Sequence, residues 1–70
     1  MHIFKLEGKE YIELNKLLKI LRLVGTGGEA KMRIREGEAT FNGEVEWQIR
    51  KKLRVGDKVS FAGEEIIVEA

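Results

Sequence analysis

The sequence predicts an α+β fold in which a pair of short helices packs on a small, curved, mainly antiparallel sheet. Leucines recur at helical spacing between residues 14 and 21, which indicates the buried stripe of a helix. Asn42-Gly43 lies between two alternating segments, which favours a β-hairpin with a type I′ turn. Two more alternating segments follow before the chain ends. Seventy residues make one small domain, residues 1–70.

The chain before the first helix predicts one strand. His2–Leu6 alternates weakly, and Glu7–Glu10 then reads as a turn. The helical period begins after Glu13, and the buried side of this helix consists of leucines, namely Leu14, Leu17, Leu18 and Leu21. We expect the helix to end around Val24-Gly25, because glycine readily adopts the positive φ of a helix C-terminus.

A second helix is predicted from its boundary residues. Thr26 and Glu29 have the spacing of a capping box, with Thr26 as the N-cap and Glu29 as its partner. The helix continues to Arg35 or Glu36, and Gly37 stops it. Its inward side is expected to contain small and aliphatic residues, Ala30 and Ile34, with Gly28 allowing close contact with the first helix.

The C-terminal half predicts two hairpins. Residues 38–41 and 44–47 flank the first turn, and residues 58–61 and 64–68 are joined around Ala62-Gly63. Val55-Gly56-Asp57 reads as a turn, with Asp57 as a turn residue. Trp47 is expected in core or edge packing, since it lies in an alternating hairpin, although an exposed indole can stack on an unpaired base. Phe4, Phe61 and Tyr11 are expected in or near the core.

Basic residues are concentrated in two segments. Residues 16–35 contain six basic residues and a single acid, Glu29, and a second basic cluster occupies residues 50–54. The remainder of the chain is acidic, so the net charge of +1 conceals a local positive surface of the kind that attracts phosphate backbones. Charged helices also keep proteins in solution, which is the simpler explanation for any one of them. The candidate phosphate-binding residues are Lys16, Lys19, Arg22, Lys31, Arg35, Arg50, Lys51 and Lys52, and Arg33 is assigned equally to packing and to binding.

Other functions have little support in the sequence. The chain contains no Cys and a single histidine, His2, which is expected at a mobile end, so we predict no enzyme, metal or cofactor site. Residues 25–28 could cradle a phosphate at a helix start, but the Gly-Lys-Ser/Thr ending of a P-loop is missing, so nucleotide hydrolysis is not expected. Capping and close packing is the stronger interpretation of these residues, and it is compatible with phosphate contact. No apolar run approaches the roughly 20 residues of a membrane span. A cytoplasmic protein is expected.

Four short motifs in order resemble the S4-type RNA-binding domain. They are Leu14-x-x-Leu17-Leu18, then Thr26-x-x-x-Ala30-Lys31-x-x-Ile34-x-x-Gly37, then Phe41-Asn42-Gly43, and finally Lys52-Leu53-x-x-Gly56-Asp57-x-Val59. The resemblance covers roughly residues 12–68. The short additional strand at the N-terminus looks most like the small stand-alone bacterial members of this family.

This resemblance implies a two-helix αL RNA-binding motif packed on the sheet. It implies binding of structured RNA, ribosomal or otherwise folded and non-coding, on the surface formed by the helices and the adjoining loop. Lys31 matches a position that is commonly basic in the family. Thr26 matches the hydroxyl residue that opens the second helix, and Lys52 matches a basic residue before the Gly-Asp turn.

Two alternatives remain open from the sequence. Gly27, Gln48 and Ile49 stand where members of the family often carry basic residues, and Glu13 stands where many begin the first helix with Arg. A protein-interaction or self-association module, using Trp47, Ile49 and the acidic strands, is therefore the main alternative. Sequence-tolerant DNA binding is the second. The oligomeric state is not predicted.

Overall fold

The computed structural model describes all 70 residues and confirms the predicted α+β class. Seven strands and two helices follow one another along the chain. They are β1 (His2–Lys5), β2 (Ile12–Glu13), α1 (Leu14–Ile20), α2 (Gly27–Arg35), β3 (Ala39–Phe41), β4 (Glu44–Val45), β5 (Lys52–Leu53), β6 (Lys58–Phe61) and β7 (Glu64–Glu69).

The main sheet has five strands in the order β1-β7-β6-β3-β4. Its pairs are antiparallel except for β1, which runs parallel to β7 with Phe4 opposite Val68. The expectation that His2 lies at a mobile end is wrong, because His2 lies opposite Ile66 in this pairing. The remaining strands, β2 and β5, form a separate antiparallel pair beside α1.

Both hairpin turns lie at the predicted residues, and the first has the predicted type I′ geometry, which the second shares. Asn42 and Gly43 have φ values of 49° and 92°, and Ala62 and Gly63 have values of 52° and 80°. Positive φ at both central residues defines a type I′ turn, whose twist matches that of the flanking strands. These turns set the register of β3 with β4 and of β6 with β7.

The core lies between the helix pair and one face of the sheet. All 14 buried residues are apolar. The helices contribute Leu14, Leu17, Leu18, Ala30 and Ile34. The sheet contributes Ala39, Val59, Phe61, Ile66 and Val68. Phe61 is in the core as predicted, and Phe4 and Tyr11 are half-buried beside it.

The end of α1 differs from the prediction. The helix ends at Ile20, and Arg22, rather than Gly25, is the residue with positive φ, at 60°. The N–H of Arg22 donates to the carbonyl of Lys19, and the N–H of Leu23 donates to that of Leu18, both at 3.0 Å. This pair of hydrogen bonds is a Schellman motif. It closes the helix three residues before the glycine that the sequence favoured.

The end of α2 has the same motif at the predicted residue. Gly37 has a φ of 80°, and its N–H donates to the carbonyl of Ile34 at 3.0 Å. The expectation for Gly28 is wrong, because this residue is exposed and a Cβ added there would meet only Thr26 Oγ1, at 3.8 Å. Gly28 therefore does not mediate the contact between the two helices.

Candidate functional site

The N-terminus of α2 is capped by its own side chains. Thr26 Oγ1 accepts a hydrogen bond from the N–H of Glu29 at 3.0 Å, as the capping box predicts. The Glu29 carboxylate reaches back one residue further than expected and accepts from the N–H of Gly25 at 2.8 Å. The Gly25 amide is thus already satisfied by a carboxylate. This confirms the capping interpretation of residues 25–28, and phosphate contact at this helix start stays a prediction.

The N-terminus of α1 is capped by the backbone of a distant loop. Glu13 makes no side-chain cap. Instead, the carbonyl of Lys51 accepts from the N–H of Leu14 at 2.9 Å, and the carbonyl of Ile49 accepts from that of Asn15 at 3.1 Å. Glu13 also lies opposite Lys52 in the β2–β5 pair. Because of these contacts, the second basic cluster lies against the start of α1.

The eight predicted basic side chains lie on the two helices and this loop. We call them the basic surface: Lys16, Lys19, Arg22, Lys31, Arg35, Arg50, Lys51 and Lys52. Seven of them are exposed and Lys51 is half-buried. Helix α1 has seven residues and is therefore about 10 Å long. The basic loop lies at its N-terminus and Arg22 follows its C-terminus, so the helix length separates these two parts of the basic surface. At that second end, the Lys19 stem approaches Gly27, since a Cβ added there would lie 4.0 Å from Lys19 Cδ.

The cations of the basic surface are almost all without ion-pair partners. Lys16 alone has one, with its Nζ 3.6 Å from Glu13 Oε1. Surface pairs of this kind are worth at most about 1 kcal/mol, so even Lys16 remains available. The positive charge of this surface is therefore not neutralised within the protein.

Arg33 has a different environment from its helical neighbours. Its guanidinium lies 2.8 Å from Glu38 and 3.4 Å from Glu29, and 4.5 Å from the centre of the Phe61 ring. The hydrogen bond to Glu38 raises the pKa of the guanidinium above its ordinary value. These contacts support a role for Arg33 in packing α2 on the sheet, and a role in binding stays a prediction.

Two lysines of the basic surface lie over aromatic rings. Lys51 Nζ is 4.7 Å from the centre of the Phe41 ring, and Lys52 Nζ is 4.9 Å from that of Tyr11. Arg54 also approaches Tyr11, at 5.6 Å. Such cation–π contacts hold a flexible side chain in place while leaving its charge unneutralised. Tyr11 and Arg54 were not among the predicted site residues, although the run of basic residues at 50–54 included Arg54.

Trp47 is not in the core but packs at an edge, which is the second of the two positions expected for it. It is 60% exposed, and Cη2 and Cζ3 of its ring lie beside Gly37. The alternating pattern predicted a strand over residues 44–47, but β4 ends at Val45, two residues before the tryptophan.

Two further findings concern metal ligands and membrane-spanning helices. No group of three or more His, Cys, Asp or Glu side chains is arranged to hold a metal ion. Neither helix has the length and apolar character needed to cross a membrane.

The fold and the basic helix pair define a small α+β domain of the S4 class, and comparison with known proteins agrees. The S4 domain profile matches residues 4–69, so the chain belongs to the S4 domain family. It is 39% identical over 70 residues to the "Putative RNA-binding protein YbcJ" of Escherichia coli (strain K12), and equally to the "Uncharacterized protein YbcJ" of Shigella flexneri. Both alignments cover all of each chain.

A solved structure confirms the fold. The solution structure of YbcJ from E. coli is similar to this chain with a TM-score of 0.75 and 38% identity. The match covers 100% of this chain and 89% of the other. That structure is described as revealing an "ALFAL" motif involved in RNA-binding. The αL motif expected from the sequence resemblance is thus present in a relative of the same architecture.

Proposed function

We propose that this protein binds structured RNA, ribosomal or otherwise folded and non-coding, through the basic surface. The observation that carries the proposal is the gathering of eight basic side chains, seven without an ion-pair partner, by two helices and one loop. Each phosphate that such a side chain neutralises releases a counterion, which favours binding. Double-stranded RNA is recognised largely by its shape and by its phosphates and 2′-hydroxyls, which suits a rigid surface of this kind.

The relatives support this proposal. The relative from Escherichia coli is named "Putative RNA-binding protein YbcJ". Its solution structure is described as revealing a motif involved in RNA-binding. We extend this role to the present chain as a non-enzymatic, single-domain cytoplasmic protein that needs no cofactor. Thr26 joins the proposed site with the basic surface because it positions the start of α2.

A charge-reversal experiment tests the proposal. Fluorescence anisotropy of a labelled ribosomal RNA hairpin is titrated with the protein at low and at physiological salt. Lys31→Glu is the test variant, since Lys31 is exposed on α2 without an ion-pair partner. We expect roughly tenfold weaker binding and a shallower dependence on salt, by about one unit in the log–log slope.

Lys5→Glu is the matched control. Lys5 is also exposed and unpaired, but it lies in β1 at the edge of the sheet, so the net charge changes equally away from the helices. Affinity within about twofold of the unaltered protein is expected for this variant. Equal losses in both variants would show that net charge, rather than the basic surface, governs binding. Duplex DNA that competes as well as the hairpin would favour sequence-tolerant DNA binding.

A protein-interaction module is the second candidate, because Trp47 and Val45 are exposed together beside Gly37. This candidate predicts no binding to the hairpin or to total cellular RNA. It also predicts self-association, or binding to a protein, that Lys31→Glu leaves unchanged. Sedimentation of the protein alone, over a range of concentrations, separates it from the first candidate.

A further inference from the structure

Trp47 is an exposed aromatic residue in a well-anchored position. Its ring edge is held at Gly37, since a Cβ added there would lie 3.0 Å from Cη2 and 3.3 Å from Cζ3 of the indole. The preceding residue, Glu46, donates its N–H to the carbonyl of Ala39 at 2.9 Å. The Glu46 carboxylate then accepts from the N–H of Gln48 at 3.0 Å. The indole thus projects from a backbone that is held on both sides.

The position of Trp47 connects it to the basic surface. Gly37 directly follows the last turn of α2, which carries Arg35. Two residues after the tryptophan, the carbonyl of Ile49 binds the start of α1, and Arg50 and Lys51 follow. Residues 47–51 therefore span from the end of α2 to the beginning of α1. Trp47 is therefore close in the chain to Arg50 and Lys51, and its ring lies beside the residue that closes α2.

We infer that Trp47 is a stacking platform for an unpaired base of the RNA bound on the basic surface. Every base has a π-face, so an exposed indole binds it without sequence preference, and neighbouring cations hold the phosphates on either side. Arg50 and Lys51 are on one side of the platform in the chain. On the hairpin side the chain carries two acids, Glu44 and Glu46, whose charge repels phosphates and so favours a path of the RNA backbone over the loop. This inference rests on the proposed function. It adds that the bound RNA contains an unpaired nucleotide, whose base stacks on Trp47.

The size of the apolar patch favours a base over a protein partner. Trp47 is 60% exposed and Val45 is 44% exposed, and their neighbours in the chain, Glu44, Glu46 and Gln48, are charged or polar. An aromatic side chain offers at most about 250 Å² in total, so the exposed indole supplies on the order of 150 Å². A stable protein interface needs about 800 Å² on each partner. One nucleobase, in contrast, covers an area comparable to a single indole face.

The single tryptophan of the chain gives a direct test, because the intrinsic emission of the protein reports on Trp47 alone. Two labelled ribosomal RNA stems of equal length are compared, one with an unpaired purine bulge and one fully paired. Anisotropy of the label measures binding, and tryptophan emission measures stacking. We expect both RNAs to raise the anisotropy and only the bulged RNA to quench the emission strongly.

Substitutions complete the test. Trp47→Ala should weaken binding of the bulged RNA on the order of tenfold, with a smaller effect on the paired RNA. Trp47→Phe keeps an aromatic ring and should recover much of the affinity lost in Trp47→Ala. It also replaces the alanine variant in the test if that variant folds poorly. Val45→Ala, at the exposed neighbour, should leave both affinities unchanged.

The contradicting outcomes are distinct. Binding by anisotropy with unchanged emission and unchanged Trp47→Ala affinity would overturn the stacking platform and leave the proposed function standing. No anisotropy change with either RNA would overturn both. Emission that changes with protein concentration in the absence of RNA would assign Trp47 to self-association and overturn the platform.

Discussion

The two helices end in the same backbone motif but with different residues. In both, a Schellman pair of hydrogen bonds closes the last turn and the next residue has positive φ. At the end of α2 this residue is Gly37, with a φ of 80°. At the end of α1 it is Arg22, with a φ of 60°. Glycine adopts this conformation freely, whereas a residue with a Cβ pays about 1–2 kcal/mol.

The difference shows that the two positions serve different purposes. The backbone at Gly37 approaches Trp47 closely, so an added Cβ would lie 3.0 Å from Cη2 and the indole would have to shift. Arg22 is exposed, has no ion-pair partner and lies at the end of the basic surface. Strained residues occur preferentially where function requires their side chains. We therefore interpret Gly37 as a structural requirement and Arg22 as a position at which stability is given up for a binding side chain.

The largest effect is predicted at the end of α2. Gly37→Ala should lower the free energy of unfolding by about 2 kcal/mol, because it adds both the cost of positive φ and a clash with the indole. Urea denaturation measures the change. Gly63→Ala is the matched control, since Gly63 has the same φ of 80° and no atom within 4 Å of an added Cβ.

The control should cost about 1 kcal/mol, through φ alone. The difference between the two variants then isolates the contact with Trp47, whose emission should also shift in Gly37→Ala. Equal destabilisation with unchanged emission would show that the indole does not rest on Gly37 in solution.

The N-termini of the two helices also differ, in the groups that cap them. α2 is capped by the Thr26 side chain, and α1 by the carbonyls of Ile49 and Lys51. Thr26→Ala should therefore destabilise the protein by about 1 kcal/mol, through loss of the N-cap hydrogen bond. Thr26→Ser keeps the hydroxyl and should remain within about 0.5 kcal/mol of the unaltered protein. If serine fails to restore stability, the methyl group of Thr26, rather than its hydroxyl, is the stabilising part.

The same contrast explains which parts of the fold the sequence could predict. Both boundaries of α2 were predicted correctly because they depend on local side chains, Thr26 and Gly37. The start of α1 at Leu14 was also predicted, although a distant loop caps it. Its end was missed because Arg22, rather than a glycine, adopts the positive φ there. The β2–β5 pair was also missed, since strands of two residues show no periodicity.

For the candidate site, the sequence predicted which segments are basic but not which of their side chains are ion-paired. Segregation of charge identified the basic residues without the structure. Only the structure shows that Arg33 is paired with Glu29 and Glu38 while Arg35, two residues later, has no partner. Which cations remain unpaired depends on the glutamates that the fold brings near them. No local pattern in the sequence reports this.

The smallest effect is predicted at the end of α1, and there stability and binding should change in opposite directions. Arg22→Gly removes the strain of positive φ, at an entropic cost of about 0.5–1 kcal/mol for the unfolded glycine, so we expect a net stabilisation of roughly 0.5–1 kcal/mol. The same variant should bind the RNA hairpin several-fold more weakly and reduce the salt slope by about one, since one phosphate contact is lost. Urea denaturation and anisotropy measure the two effects.

Arg22→Lys separates the two contributions, because it keeps both the charge and the strained backbone. Its stability and affinity should both stay close to those of the unaltered protein. A glycine variant that is more stable but binds RNA equally well would mean that Arg22 makes no phosphate contact. The strain at φ 60° would then have no functional counterpart, and the basic surface would end at Lys19. Loss of affinity together with a gain in stability would instead show that α1 gives up stability for the side chain at its end.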